Sequence, residues 1–135
     1  MKKIKIKGRE LVQFGDWIDL YAAEQVTLEK GDYKQISLGV AMKLPRGYEA
    51  HILPRSSTFR RHGILLVNGC GIIDNNYCGN NDIWTFPAYA TRDTVIYKGD
   101  RIAQFRIVKS QPRIKFVFVD KLKGKNRGGL GSTGR

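Results

Sequence analysis

The sequence is short of the residues that most often build metal centres and disulfide frameworks. Its 135 residues include two cysteines, Cys70 and Cys78, and two histidines, His51 and His62. Two cysteines make no disulfide framework, and none of these four residues falls in the close pairs that zinc sites favour, so zinc is not expected. No apolar run approaches the length of a membrane span. The opening MKKIKIKGRE is basic but leads into no apolar segment, which excludes a secretory signal and implies a cytoplasmic chain. There is no internal repeat, and no linker interrupts the chain before residue 122. Acidic residues are also scarce, 12 against 24 lysines and arginines, for a formal charge of +12. That excess attracts anions, whether a nucleotide, a nucleic acid or an acidic surface. The bases gather in KKIKIKGR, RSSTFRRH and KLKGKNR, a distribution that also suits a plain solvated face.

What is present describes one compact domain. A hydrophobic content of 41% with 10% aromatics is enough for a real core at this length. Strand candidates are KIKIK, IDLYAA, YKQISLGVAMKL, YEAHIL, GILLV, DIWTFPAYA, TVIYK, RIAQFRIV and RIKFVFV. They are short, rich in β-branched and aromatic residues, and punctuated by turns such as EKGD, NGCG and YKGD. The expectation is an all-β barrel or jelly-roll-like sandwich. Only SSTFRRHG reads as helix, with Ser57 as its N-cap and Gly63 ending it in a left-handed conformation. From KGKNRGG onward hydrophobic periodicity vanishes, so residues 1–122 are expected to form the domain and 123–135 a flexible Gly-rich arm.

Several stretches carry candidate chemistry. In GIIDNNYCG, Asp74 falls at a strand end and Tyr77 across a turn; the carboxylate suits proton abstraction from water, or simply an Asx-turn. In PRSSTF, Arg55 offers a planar fork and Ser56 and Ser57 offer hydroxyls at a helix start, which reads as a phosphate site or as a plain cap. Alternation in GDWIDLYAAE puts Trp17, Asp19 and Tyr21 on one face and Ile18, Leu20 and Ala22 on the other, so Asp19 reads as an edge ion-pair partner. In GDRIAQFRIV, Gln104 shares a face with Ile102 and Arg106 and needs partners if buried. The closing RGGLGSTGR is either disordered or a backbone able to wrap an anion through Arg127, Ser132 and Thr133.

Taken in order, these segments read D-x-x-D-L-Y-A, P-R-S-S, N-x-x-G-x-I-D-x-x-Y-x-G, G-D-R-I-A-Q-F and R-G-G-x-G-S-T-G. The series resembles the five ordered motifs of the trimeric dUTP pyrophosphatases (dUTPases), from about Gly15 to the C-terminus, with details similar to phage and Bacillus-type members. The resemblance implies a jelly-roll homotrimer with active sites between subunits, hydrolysing dUTP to dUMP and pyrophosphate with Mg²⁺. That reaction keeps uracil out of DNA and supplies dUMP for dTMP synthesis. By the same resemblance, Asp74 activates the water that attacks the α-phosphorus, with Gln104 near that water. Asn68 and the backbone at Gly71 and Ile73 read uracil, and Tyr77 packs on the deoxyribose. Arg55, Ser56 and Ser57 hold phosphates, and Asp19 supports the metal through water. Arg127, Ser132 and Thr133 close over a neighbouring subunit's site.

The sequence departs from the pattern where the fifth motif usually has an aromatic over the base. Leu130 stands there; a leucine can cover a base but lacks a π-face, so the candidate covers are Leu130, Trp84 and Phe86, unless the two aromatics are core. Asn76 also replaces a second acid common in motif three. Three other readings compete. A dCTP deaminase of the same fold lacks its glutamate-bearing motif here. A nucleic-acid-binding β-domain would have no need of Asp74, so nucleic acid is not expected as the primary partner. A repressor-type protein partner, as for some phage dUTPases, has no readable motif.

Overall fold

A computed structural model describes residues 1–129. Eleven strands and one short helix follow in order among them: β1 (Lys5–Gly8), β2 (Ile18–Tyr21), β3 (Val26–Leu28), β4 (Tyr33–Ser37), β5 (Val40–Lys43), β6 (Tyr48–Pro54), α1 (Thr58–His62), β7 (Ile64–Leu66), β8 (Gly71–Ile73), β9 (Thr85–Ala90), β10 (Thr94–Ile96) and β11 (Arg101–Lys109). All pairings are antiparallel, in sheets ordered β2-β11-β6-β8, β4-β9-β7, β1-β5 and β10-β3. This is the all-β, jelly-roll-like arrangement expected from the short strands and regular turns.

The core fills because alternate strand residues turn inward. Leu20 and Ala22 are buried, as the alternation of IDLYAA requires, and they meet Ile36, Leu38, Ile52, Trp84, Phe86, Ile96, Ile102 and Phe105. Trp84 stands edge-on to Phe105, with ring centroids 5.0 Å apart, an arrangement that suits the aromatic quadrupoles. Beside it, β11 breaks strict alternation. A register shift between Arg101 and Ala103 against β2 buries Ile102 and Ala103 in succession, as a β-bulge does.

Several strand expectations change in the folded chain. YKQISLGVAMKL is two strands in different sheets. Gly39, at φ 67, turns the chain between them, and the Leu38 amide bonds the Trp84 carbonyl. The short β3 had no clear signal. RIKFVFV forms no strand within its own chain. Ile114, Phe116, Val117, Phe118 and Val119 are all exposed, since a strand needs a partner edge and this segment finds none here.

The helix ends as read, with Gly63 at φ 65 and its amide bonded to Phe59 O at 2.7 Å. Its start differs. Ser57 occupies the N-cap position but makes no side-chain cap bond. The fully buried Thr58 does the fastening instead, accepting from the Arg55 amide and donating to Ile102 O.

Candidate active site

The β8 end and the loop after it form one half of the site. Asp74 Oδ1 accepts from the backbone amides of Asn76 and Tyr77, at 2.8 and 3.1 Å. The Asx-turn is therefore real, and it fixes the carboxylate rather than consuming it. Oδ2 accepts no hydrogen bond among the described residues. Asn75 Nδ2 donates to the carbonyls of Leu44 and Pro45, anchoring the loop to the β5–β6 turn. The Tyr77 hydroxyl donates to Ile83 O at 3.3 Å.

A cavity of about 440 Å³ opens over this loop, lined by Asn68, Gly71, Ile73, Asp74, Tyr77 and Trp84 among others. Gly71 is needed for close packing: a Cβ there would sit 3.1 Å from the Ile52 Cβ. The structure thus gathers five residues singled out in GIIDNNYCG and its approach, Asn68 to Tyr77, around one space. It also adds two that sequence reasoning missed, Tyr33 and Gln35 on β4.

The expectation that Trp84 or Phe86 covers a base is corrected. Both have 0% exposure and are packed into the core, and a side chain enclosed on all sides cannot close over a ligand. Trp84 underlies the cavity as a wall, while its Nε1 is the one buried side-chain nitrogen or oxygen without a partner among the described residues. Leu130, Ser132 and Thr133 lie outside the described residues.

The second half lies at the β6–α1 junction. Arg55 Nε pairs with Asp19 Oδ1 at 3.0 Å, and Arg101 reaches Asp19 Oδ2 at 3.4 Å. Asp19 is therefore an ion-pair partner on an edge strand, as its place between two aromatics suggested. Gln104 sits opposite Asp19 in register and donates to Pro54 O at 3.1 Å, which answers its need for a partner. A separate cavity of about 390 Å³ is lined by Arg55, Ser57, Arg61, His62, Gly99, Asp100 and Arg101. Three guanidiniums face this polar hollow, two of them also paired with Asp19, a grouping that suits an anion able to share them. Nothing in the local sequence marks Arg61, His62 and Arg101 as neighbours in one hollow.

Burial holds the His62 pKa below its ordinary 6.5, opposed by Asp100 and reinforced by Arg61, Arg92 and Arg55. The folded protein thus prefers neutral His62, and protonation favours the unfolded chain. Its stabilising effect is complete above pH 6.5 and is lost as pH falls through the lower folded value. The midpoint of thermal unfolding should drop on acidification below pH 6.5, and His62→Gln should flatten that drop. An unchanged slope in the variant would exclude His62 as the source.

The two cavities share no lining residue. One is lined by Asp74 and a hydrogen-bonding rim; the other by three arginines together with Asp100.

Comparison with known proteins gives a consistent result. The dUTPase family model matches residues 17–134. The chain is 58% identical over 120 residues to the SPbeta prophage-derived deoxyuridine 5'-triphosphate nucleotidohydrolase YosS of Bacillus subtilis, covering 89% of this chain and 84% of that one. It is 42% identical to the deoxyuridine 5'-triphosphate nucleotidohydrolase of Leifsonia xyli, over 86% of this chain and 77% of the relative. The fold is similar to that of a Staphylococcus bacteriophage 80alpha dUTPase solved with dUpNHpp, at TM-score 0.79 and 21% identity over all of both chains. It is also similar to a mutant dUTPase of S. aureus phage phi11 described as coordinating a structural Mg(II) ion, at TM-score 0.76 and 19% identity, over 90% of this chain and all of that one.

Proposed function

The chain belongs to the dUTPase family, and on that premise we propose how its two half-sites divide the hydrolysis of dUTP to dUMP and pyrophosphate. The observation that carries the reading is the seating of Asp74, one oxygen fixed by the turn amides and the other open at a cavity rim. The open oxygen takes a proton from the water attacking the α-phosphorus. A new oxygen–phosphorus bond forms, the bond to the bridging oxygen breaks, and pyrophosphate leaves. Asn68 and the backbone at Gly71 and Ile73 read the uracil edge, and Tyr77 packs where a ribose 2′-hydroxyl would lie. A reader whose polar groups go unpaired with cytosine rejects it strongly.

In the cationic half, Arg55, Ser56 and Ser57 hold phosphate oxygens, and Gln104 lies near the water. Arg127, Ser132 and Thr133, on an arm formed by residues 123–135, complete the γ-phosphate contacts beside the domain of residues 1–122. Among the described residues no three His, Cys, Asp or Glu side chains converge on a metal-sized space, and both Asp19 oxygens already face arginines. That donor set fits a Mg²⁺ held mainly by the triphosphate and its waters, with Asp19 reached through water. Bound there, the ion supplies neutralisation of phosphate charge.

Two observations support a homotrimer. The half-sites do not share a cavity within one chain, and the apolar 113–119 segment is uncovered. Sedimentation at micromolar concentration should give three times the 15.3 kDa of one chain; a monomer that is fully active would refute the assembly. No helix among the described residues is long and apolar enough to cross a membrane.

The deciding assay is pyrophosphate release with Mg²⁺ from dUTP beside dCTP, dTTP and UTP, with ammonia followed in the dCTP sample. Release from dUTP alone is expected. Ammonia from dCTP would instead identify a deaminase.

A further inference from the structure

The cavity over Asp74 is bounded on one side by a strand outside every motif. Tyr33 and Gln35, two apart on β4, share its outer face, while Ile36 turns into the core at 0% exposure. Pairing of β4 with β9, Tyr33 opposite Tyr89 and Gln35 opposite Pro87, sets both residues beside Pro87, Asn68 and Tyr77 on the cavity lining.

Three aromatic residues line this space: Tyr33, Tyr77 and Trp84. Trp84 is enclosed in the core. Tyr77 is held by its hydroxyl bond to Ile83 O and belongs to the loop beside Asp74. Tyr33 differs from both. It is 54% exposed, and the bond that its hydroxyl accepts, from Gln35 Nε2 at 3.3 Å, orients the ring without covering its faces. No other ring packs against it among the described residues. An aromatic on a strand of a packed sheet is preorganised and loses little freedom on binding, which is the condition under which stacking yields affinity.

We propose that Tyr33 covers the nucleobase of the bound nucleotide, with Gln35 positioning its ring. The inference rests on the dUTPase reading for the identity of the base, and on the shared cavity for the contact. Tyr33 and Gln35 would then act on nucleoside affinity and leave phosphate chemistry alone, since neither lines the cationic cavity.

The test uses the full chain. Tyr33→Ala should raise KM for dUTP about tenfold with kcat within about twofold, the range that removing one base-stacking ring produces. Titration calorimetry with deoxyuridine, which carries no phosphate, should show the same loss of affinity, while inorganic pyrophosphate affinity stays unchanged. Tyr33→Phe keeps the ring but loses the hydroxyl that Gln35 holds, so it and Gln35→Ala should both fall between wild type and Tyr33→Ala, with pyrophosphate affinity unchanged in each. Wild-type KM and deoxyuridine affinity in Tyr33→Ala would overturn the proposal. So would a KM rise accompanied by an equal loss of pyrophosphate affinity or by dissociation of the assembly. The deoxyuridine titration reads the contact whether or not the wild type turns dUTP over, so failure of hydrolysis and failure of the base cover are distinguishable.

Discussion

Asp74→Asn is expected to lower kcat for dUTP by about 10²–10⁴-fold while KM changes little, the range that loss of a positioned general base produces. Asparagine is nearly isosteric and keeps a carbonyl oxygen for the amides of Asn76 and Tyr77, so the turn should survive. What disappears is the anionic oxygen on the cavity side. Asp74→Ala removes both and should also loosen the loop, with a rise in KM as the amides of Asn76 and Tyr77 lose the carboxylate oxygen that holds them. Steady-state kinetics on the two variants separates the chemical role from the structural one. Near-normal turnover in a folded, assembled Asp74→Asn protein would reassign the base.

Trp84→Ala should destabilise the fold by about 3–5 kcal/mol, the cost of deleting a large aromatic from a packed core. That is a sizeable part of the roughly 5–15 kcal/mol that holds a domain together. Trp84 is the largest side chain with no exposed surface, and its removal strips the edge-on contact from Phe105. Trp84→Phe should be much milder, because the indole nitrogen has no partner to lose. Denaturant titration at one fixed protein concentration measures both changes. A Trp84→Ala protein of wild-type stability with a raised KM would restore the residue as a base cover.

The contrast between Trp84 and Asp74 shows what the sequence discloses. Asp74 stood out through the order of the motifs, because a carboxylate after two isoleucines and before an Asn-Asn turn reads by itself equally well as the Asx-turn it does form. Leu20 and Ala22 were legible for a different reason: period-two alternation with Asp19 between two aromatics leaves one apolar face to bury. Trp84 and Phe86 were not legible, because an aromatic in an apolar strand looks the same whether it packs a core or lids a ligand. Only enclosure decides.

Other features depend on distant partners. Tyr33 and Gln35 reach the cavity because β9 brings β4 alongside the residues that follow β7 and β8, a contact that no local pattern encodes. The break of YKQISLGVAMKL at Gly39 follows from Leu38 bonding Trp84 O across the fold. The burial of both Ile102 and Ala103 follows from a bulge set against β2. The cationic hollow combines Arg55 before α1, Arg61 within it and Arg101 at the start of β11, which sequence separation hides.

The bare 113–119 segment also bears on the life of the chain before it finds neighbours. Ile114, Phe116, Val117, Phe118 and Val119 are the kind of exposed, β-prone run that recruits strangers as readily as its proper mates. Arg113, Lys115, Asp120 and Lys121 interrupt and flank it with charge, the placement by which gatekeeper residues slow amyloid-like stacking. If sister chains are its cover, the protein's folding is a mass-action event, and dilution acts on it as a denaturant does. Part of the surplus of lysine and arginine then has a use unrelated to nucleotides: it keeps newly made chains apart until the correct edge arrives.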